Sequence, residues 1–238
     1  MDIRNRLLAS FGEPALAALS PHIREIGLSV GRVIAEPGEP IEHVYFPSSG
    51  VVSIITLMTD NRRVESLTVG REGAVGLLQV FGDPIWDSRG LVQIAGGALR
   101  IDAQPLRQMA QDHPSILDVV IRYAQVTEAQ LHQSAACNAL HPIEARLCRW
   151  LLTCEDRVGD KVLPLTHEFL GMMLGVQRTR VTTAAQGLQR QGLIEYRRGL
   201  ITVLDRAGME QASCECYRTA EDIYARVFPG ADTTRDAA

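Results

Sequence analysis

Aromatic residues are scarce, at 5% of 238, and basic residues are outnumbered by acidic ones, 24 to 28. The resulting net charge of −4 excludes nucleic-acid affinity through bulk positive charge, though not a local basic face. No apolar run approaches the ~20 residues needed to span a bilayer, so no membrane partner is expected. The opening residues lack the basic-then-apolar pattern of a secretion signal, and a cytoplasmic location is the expectation. The five cysteines, Cys137, Cys148, Cys154, Cys214 and Cys216, include no Cys-x-x-Cys pair. An odd number without a secretion signal points to reduced thiols. No Gly-Lys-Ser/Thr occurs and no catalytic constellation is visible, so an enzyme is not expected.

What is present is an ordinary globular balance, 46% hydrophobic and 22% charged, in a chain long enough for about two domains. Leu7, Leu8, Phe11, Leu16 and Leu19 suggest helical pieces broken by Gly12 and Pro14. From His22 to Ile101 short apolar runs alternate with turn signals: Ile23–Leu28, Val33–Ala35, Val44–Phe46, Val51–Met58, Val64–Val69 and Leu91–Ile94. Such spacing predicts a small barrel or sandwich. Asp102 and Pro105 mark a helix start. Pro114 suits the first position of a longer helix running to about Cys137. On that helix Leu117, Ala124 and Leu131 recur every seven residues, with Val120 and Ile121 between them. The stripe suits a seam with a second copy of the chain; a helix lying on its own barrel is the alternative.

The most informative stretch is Thr166–Ala184. Leu170, Leu174, Val176, Val181 and Ala184 fall where two short crossing helices bury apolar side chains. Gly171 permits close approach, and Gly175 sits where a turn needs φ > 0. The second helix carries Gln177, Arg178, Thr179, Arg180, Thr182 and Thr183, which can hydrogen-bond base edges or phosphates. Thr166 is expected to cap the first helix and to touch phosphate. Downstream, Gly192–Val203 reads as two short strands around Arg197-Arg198-Gly199, a wing whose arginines would clamp phosphate. A last helix is expected over Gly208–Val227. Between Thr166 and Arg206 the cations are Arg178, Arg180, Arg190, Arg197, Arg198 and Arg206, against Glu168, Glu195 and Asp205. The basic charge is therefore segregated into this segment.

The order of these parts resembles the Crp/Fnr family of bacterial transcription regulators. The resemblance covers about residues 15–205. It rests on Leu165-Thr166-His167-Glu168-Phe169-Leu170-Gly171 and Val176-Gln177-Arg178-Thr179-Arg180-Val181 in the second half. In the first half it rests on Gly31, Gly38 and Gly50 with Val44-Tyr45-Phe46. It implies an α+β chain with three parts: a cyclic-nucleotide-binding-like β-roll over residues 1–114, a dimerisation helix over 115–137 and a winged helix-turn-helix over 138–238. The implied partners are double-stranded DNA, a second copy of the chain, RNA polymerase and a small-molecule effector, with a hinge near Asn138–Pro142. A surface that docks a protein rather than DNA, and a regulator without an effector, are the alternatives.

The sensor half departs from the family's cyclic-nucleotide pattern. Binders carry Gly-Glu-x-Gly; here the turn is Gly73-Ala74-Val75-Gly76, without the carboxylate. The Arg-Ser pair that holds the cyclic phosphate is replaced by Asp87-Ser88-Arg89. An effector other than cyclic AMP is expected, with Arg71, Gly73, Ala74, Gly76, Trp86 and Arg89 as candidate pocket residues. The stretch Gly70–Gly76 reads as a tight turn of the roll or as a wall of that pocket. The first cysteine is Cys137, so the N-terminal cysteine set of the iron–sulfur branch is missing and no cluster is expected. His22 or His43 as haem ligands would be guesses, and no cofactor is obligatory. Cys214 and Cys216 on one helix would point to different faces. His132 and Cys137 have no evident further ligands, so no metal is expected.

Overall fold

The computed structural model describes residues 3–60 and 62–230. The ends of the two outer expected domains, residues 1–2 and 231–238, lie outside the described residues. Two short helices, α1 (Arg6–Ala9) and α2 (Glu13–Leu19), open the described chain. They bury Leu7, Leu8, Phe11, Ala15 and Leu19 completely or nearly so. Buried Asn5 fixes their position. Its side chain accepts from Leu8 N at 2.8 Å and donates to the carbonyls of Pro47 and Gly73 at 2.8 and 2.9 Å. Every polar valence of this buried amide that the roll can reach is thus used, which removes the cost of burying it.

Seven strands form the roll: β1 (Ile23–Leu28), β2 (Val33–Ala35), β3 (His43–Pro47), β4 (Val51–Leu57), β5 (Arg63–Val69), β6 (Arg89–Ile94) and β7 (Gly96–Asp102). They pair antiparallel in two sheets, ordered β1-β7-β3 and β2-β6-β4-β5. Val44, Phe46, Val52, Val92, Leu99 and Ile101 from both sheets share one core. A single turn of helix, α3 (Leu77–Val80), interrupts the strands. The central strand β7 was not anticipated as a strand, because Gly96-Gly97 looks like a turn. The glycines are there for close packing. A Cβ on Gly96 would run into the backbone of Gly50, and one on Gly97 would lie 2.9 Å from Ser48 Oγ.

Helix α4 (Ala103–Asp112) leads into α5 (Pro114–Leu140), three residues longer than the sequence pattern suggested. Its C-cap, His141, and Pro142 break the chain before α6 (Ile143–Val158). The second domain continues with β8 (Val162–Leu163), α7 (His167–Leu174), α8 (Arg178–Arg190), β9 (Ile194–Arg197), β10 (Leu200–Val203) and α9 (Arg206–Ala212). Its sheet runs β8-β10-β9. The single last helix expected over Gly208–Val227 is instead two: the chain breaks at Ser213–Glu215 before α10 (Cys216–Val227). No helix among the described residues is long and apolar enough to cross a membrane.

The two halves are in contact. Val51, Ile55 and Ile94 of the roll belong to the apolar core of the second domain. Trp150 Nε1 donates to Glu65 at 2.8 Å, and burial pushes the Glu65 carboxyl above its ordinary value despite that bond. Glu72 and Arg157 pair at 2.7 Å with little exposure of either. Helix α10 returns along α5 and places Tyr224 and Phe228 in the roll's core, where Arg6 and Arg122 cover their rings.

Candidate DNA-reading surface and sensor cavity

Helices α7 and α8 meet across a short turn. Thr166 caps α7, its hydroxyl accepting from Phe169 N at 3.2 Å, and Gly175 ends the helix at φ 64°. Gly171 faces the start of α8: an added Cβ would lie 2.9 Å from Val176 O and 3.4 Å from Arg178 N. The pair buries Leu170, Met173, Leu174, Val181, Ala184 and Leu188. This burial turns the other edge of α8 outward, leaving Gln177, Arg178, Thr179, Arg180 and Thr183 exposed at its N-terminal end. Gln177 is the N-cap residue but makes no side-chain cap bond, so its amide is available. The Thr183 hydroxyl bonds back to Thr179 O at 3.1 Å. Thr182 sits differently. It is half-buried, donates to Arg178 O at 3.0 Å and meets His167 Nδ1 at 3.0 Å, which makes it a support for the helix pair.

The wing turns at Arg198 and Gly199, with φ of 53° and 80°. Arg197 and Leu200 pair across it, the two-residue hairpin whose turn needs positive φ at both central positions. Holding an arginine there costs roughly 1 kcal/mol relative to glycine. Arg197 and Arg198 are both exposed, and the tip approaches the start of α7: a Cβ on Gly199 would be 3.8 Å from Thr166. Beneath it, Tyr196 stacks on buried His167, with ring centroids 4.0 Å apart. Burial, and then nearby Arg178, hold the His167 imidazole below its usual value. Among the described residues, none of the side chains of Arg178, Arg180, Arg197 and Arg198 enters an ion pair. Arg206, counted with them from sequence, is instead bound to Glu155, Asp156 and Glu210 at 2.9, 2.7 and 3.3 Å.

The stripe on α5 divides. Leu117, Ile121 and Leu131 are exposed, Ile121 to 69%, and Ala124 lies exposed among them. Val120 faces inward and belongs to the roll's core. The exposed residues of the stripe thus lie beside, not opposite, the face that α5 buries against the roll.

The sensor candidates also separate. A cavity of about 210 Å³ is lined by Ala74, Gly76 and Trp86 together with Ser66, Leu67 and Thr127. It is smaller than the ~300–1,000 Å³ usual for ligand sites, and no arginine or lysine lines it. Its turn is filled from both sides. Tyr123 Oη accepts from Ala74 N at 3.1 Å and donates to Ala74 O at 3.2 Å; burial pushes its hydroxyl up to about 12. A Cβ on Gly73 would lie 2.5 Å from that oxygen, and one on Gly76 3.0 Å from the Trp86 ring. Arg89 pairs with Glu36 outside the cavity. Arg71 points the other way, donating to Asp156 O at 2.7 Å. There it lines a larger space of about 760 Å³ at the junction of the halves, with Arg4, Arg6, Arg122 and Arg157.

Sequence reasoning missed two groupings. Residues Gly70–Glu72 serve as a docking turn: a Cβ on Gly70 would meet the Arg157 side chain at 2.5 Å, and Glu72 takes the Arg157 guanidinium. The other grouping is of Cys137, His141, Cys214 and Cys216, whose ligand atoms all lie within 4.8 Å of one another. The helix argument that separated Cys214 from Cys216 fails because Cys214 lies in the break between α9 and α10. His132 takes no part in this group. The Cys137–His141 spacing, one helical turn on one face, was the available signal.

Comparison with known proteins agrees with this architecture. Residues 145–212 match the Crp-like helix-turn-helix domain family. Over 198 residues the chain is 22% identical to the CRP-like cAMP-activated global transcriptional regulator of Mycobacterium tuberculosis, covering 80% of this chain and 88% of that one. Among solved structures it resembles FixK2 from Bradyrhizobium japonicum, with a TM-score of 0.69 and 17% identity over 81% of this chain and 98% of that one. It also resembles the c-di-GMP responsive global regulator CLP of Xanthomonas campestris, with a TM-score of 0.65 and 19% identity over 81% and 99%. Domain, relative and fold point the same way: residues 145–212 form a Crp-like helix-turn-helix domain, in a chain whose fold is similar to that of transcription regulators of the Crp/Fnr type.

Proposed function

We infer that the chain is a homodimeric, sequence-specific regulator of transcription that binds an inverted-repeat operator. The observation that carries this is the exposed N-terminal edge of α8, with Arg178 and Arg180 free of ion pairs beside Gln177 and Thr179. Arginine can bind guanine O6 and N7 in a bidentate way, and the N-terminal end of such a helix is the end that enters the major groove. Thr166, Thr183, Arg197 and Arg198 act on the phosphates at either side. Thr182 acts through His167 rather than on DNA. The dimer forms through Leu117, Ile121, Ala124 and Leu131, while Val120 holds α5 to the roll. Residues 1–114 sense, 115–137 pair, and 138–238 read DNA in the cytoplasm and meet RNA polymerase; no catalysis is involved.

The effector is not a cyclic nucleotide acting in the roll. The filled Gly73–Gly76 turn and the lack of a cation in that cavity support this, because a cyclic phosphate would lie uncompensated beside Asp87. A signal reaching the roll changes the angle of the second domain about Asn138–Pro142, shifting a pre-existing equilibrium.

Selection of bound fragments from random duplexes, together with sedimentation of the purified chain, tests the reading. A dimer that enriches an inverted repeat with half-site centres ~34 Å apart is expected. A single-copy protein with no preference over scrambled duplex would overturn it.

A further inference from the structure

The break between α5 and α6 is flanked by a group of soft ligands that the DNA-reading surface does not use. Cys137 and His141 lie one turn apart at the end of α5, Cys214 lies in the break between α9 and α10, and Cys216 opens α10. Cys137 Sγ is 3.5 Å from Cys214 Sγ, and Cys216 Sγ is 3.4 Å from His141 Nδ1. The three sulfurs are buried and unbridged. We propose that Cys137, His141, Cys214 and Cys216 form a mononuclear, four-coordinate site for a thiophilic divalent metal, with Zn²⁺ as its occupant.

Size is the first argument. Tetrahedral Zn²⁺ with Zn–S bonds of ~2.3 Å holds its ligand atoms roughly 3.8 Å apart. The observed 3.4 and 3.5 Å contacts, inside a 4.8 Å limit for the whole set, match one ion. An iron–sulfur cluster distributes its thiolates over separate irons with sulfide between them, which needs a wider cage. Ligand chemistry is the second. Three thiolates and one imidazole form a closed structural zinc set with no position left for water. The third argument is the outer shell. His141 turns Nδ1 toward the sulfurs, while Nε2 lies 3.3 Å from Glu215 Oε1, the carboxylate–histidine arrangement that fixes the tautomer of a metal-bound histidine. Gln133 Nε2 donates to Cys216 Sγ at 3.0 Å. Three thiolates around a dication leave one negative charge, and Arg149 and Arg146 are close enough to act electrostatically on Cys137.

Position gives the site its consequence. Two ligands belong to the long helix and two to the segment that leaves the winged helix. A bound ion ties the exit of the DNA-reading domain to the end of α5 and stiffens the break at His141–Pro142.

The test uses the full chain purified under reductant without chelator. About one zinc per chain is expected by elemental analysis. After removal of zinc, Co²⁺ should restore visible ligand-field bands and sulfur-to-cobalt charge transfer diagnostic of tetrahedral thiolate coordination. Cys216→Ser should abolish both, and His141→Cys, which keeps four soft ligands, should retain them. Glu215 is largely exposed, so Glu215→Gln cannot fail by unfolding the core; it should weaken zinc binding about 10- to 100-fold. Absence of bound metal with no cobalt spectrum overturns the proposal. So does a Cys137–Cys214 disulfide whose reduction yields no metal uptake, or iron accompanied by acid-labile sulfide.

Discussion

The roll and the winged helix are both small sheets closed by helices, yet the arginines that the sequence marked as site residues are held in opposite ways in the two. In the roll and at its border, Arg89 is held by Glu36 and Arg71 by the Asp156 carbonyl, and the turn that could hold a ligand is occupied by Tyr123 and Trp86. In the winged helix Arg206 is held in the same manner, but Arg178, Arg180, Arg197 and Arg198 are left facing outward. An internally compensated cation stabilises its own fold and contributes little field outside it. An uncompensated one on a rigid helix or hairpin is positioned to act on an external anion. The comparison therefore supports the proposal that DNA is met by α8 and the wing rather than by the roll.

The most severe way to break the contrast is Arg178→Ala with Arg180→Ala. Each bidentate base contact carries ~1–3 kcal/mol of discrimination, so preference for operator over random duplex should fall by about 5- to 150-fold per base-reading arginine. Circular dichroism should be unchanged, because both side chains are exposed. Gel-shift competition measures the outcome; unaltered operator preference would move the reading surface off α8. The corresponding change on the compensated side is Glu72→Gln. It leaves the Arg157 charge buried without its partner, and removing one member of a buried pair costs about 3–5 kcal/mol. Urea unfolding should show that loss, with the roll and winged helix separating into two transitions, while operator preference persists.

How much of this was legible in the sequence follows from how local each feature is. The helix-turn-helix is contiguous: cap, glycines, apolar positions and arginines fall within Thr166–Ala184, and periodicity alone places them. The strand pattern gave most of the roll, but β7 was hidden by Gly96-Gly97, whose lack of side chains serves packing against Gly50 rather than a turn. The docking of Glu72 on Arg157 joins residues 85 apart in the chain, and the cysteine–histidine group joins α5 to a break 77 residues downstream. No local spacing announces either. Val120 shows the limit of a heptad stripe: it packs into the roll while Leu117, Ile121 and Leu131 stay exposed, and the period could not say which of them faced inward.

A finer test concerns the two outward-facing arginines of the wing. Arg198 holds φ 53° at a position where glycine is unstrained. Arg198→Gly should leave the hairpin equally or more stable and yet weaken DNA binding. With Arg197→Ala added, two phosphate contacts are removed, and the slope of log affinity against log salt should become shallower by roughly 0.9 for each. Sequence preference should be nearly unaffected. A change in preference with an unchanged slope would mean the wing reads bases.

The smallest effect expected is on acid stability, and it concerns His167, whose ring stacks on Tyr196 and so joins α7 to the wing. Thr182 Oγ1 donates to Arg178 O, so it accepts from His167 Nδ1–H, and the buried Nε2 is left without a partner. Protonating Nε2 would place a charge in a buried site beside Arg178, which is why the folded-state value lies below the ordinary one. The unfolded chain then binds more protons than the folded chain on the acid side of about pH 6.5. The stabilisation is therefore present above that pH and is lost as pH falls through the folded-state value. His167→Phe keeps a ring on Tyr196 but cannot titrate. Thermal melts of the DNA-reading domain, followed by the near-ultraviolet signal of the full chain, should lose their downward slope below about pH 6.5 in this variant. Parallel slopes in the parent and the variant would assign the acid sensitivity to another group.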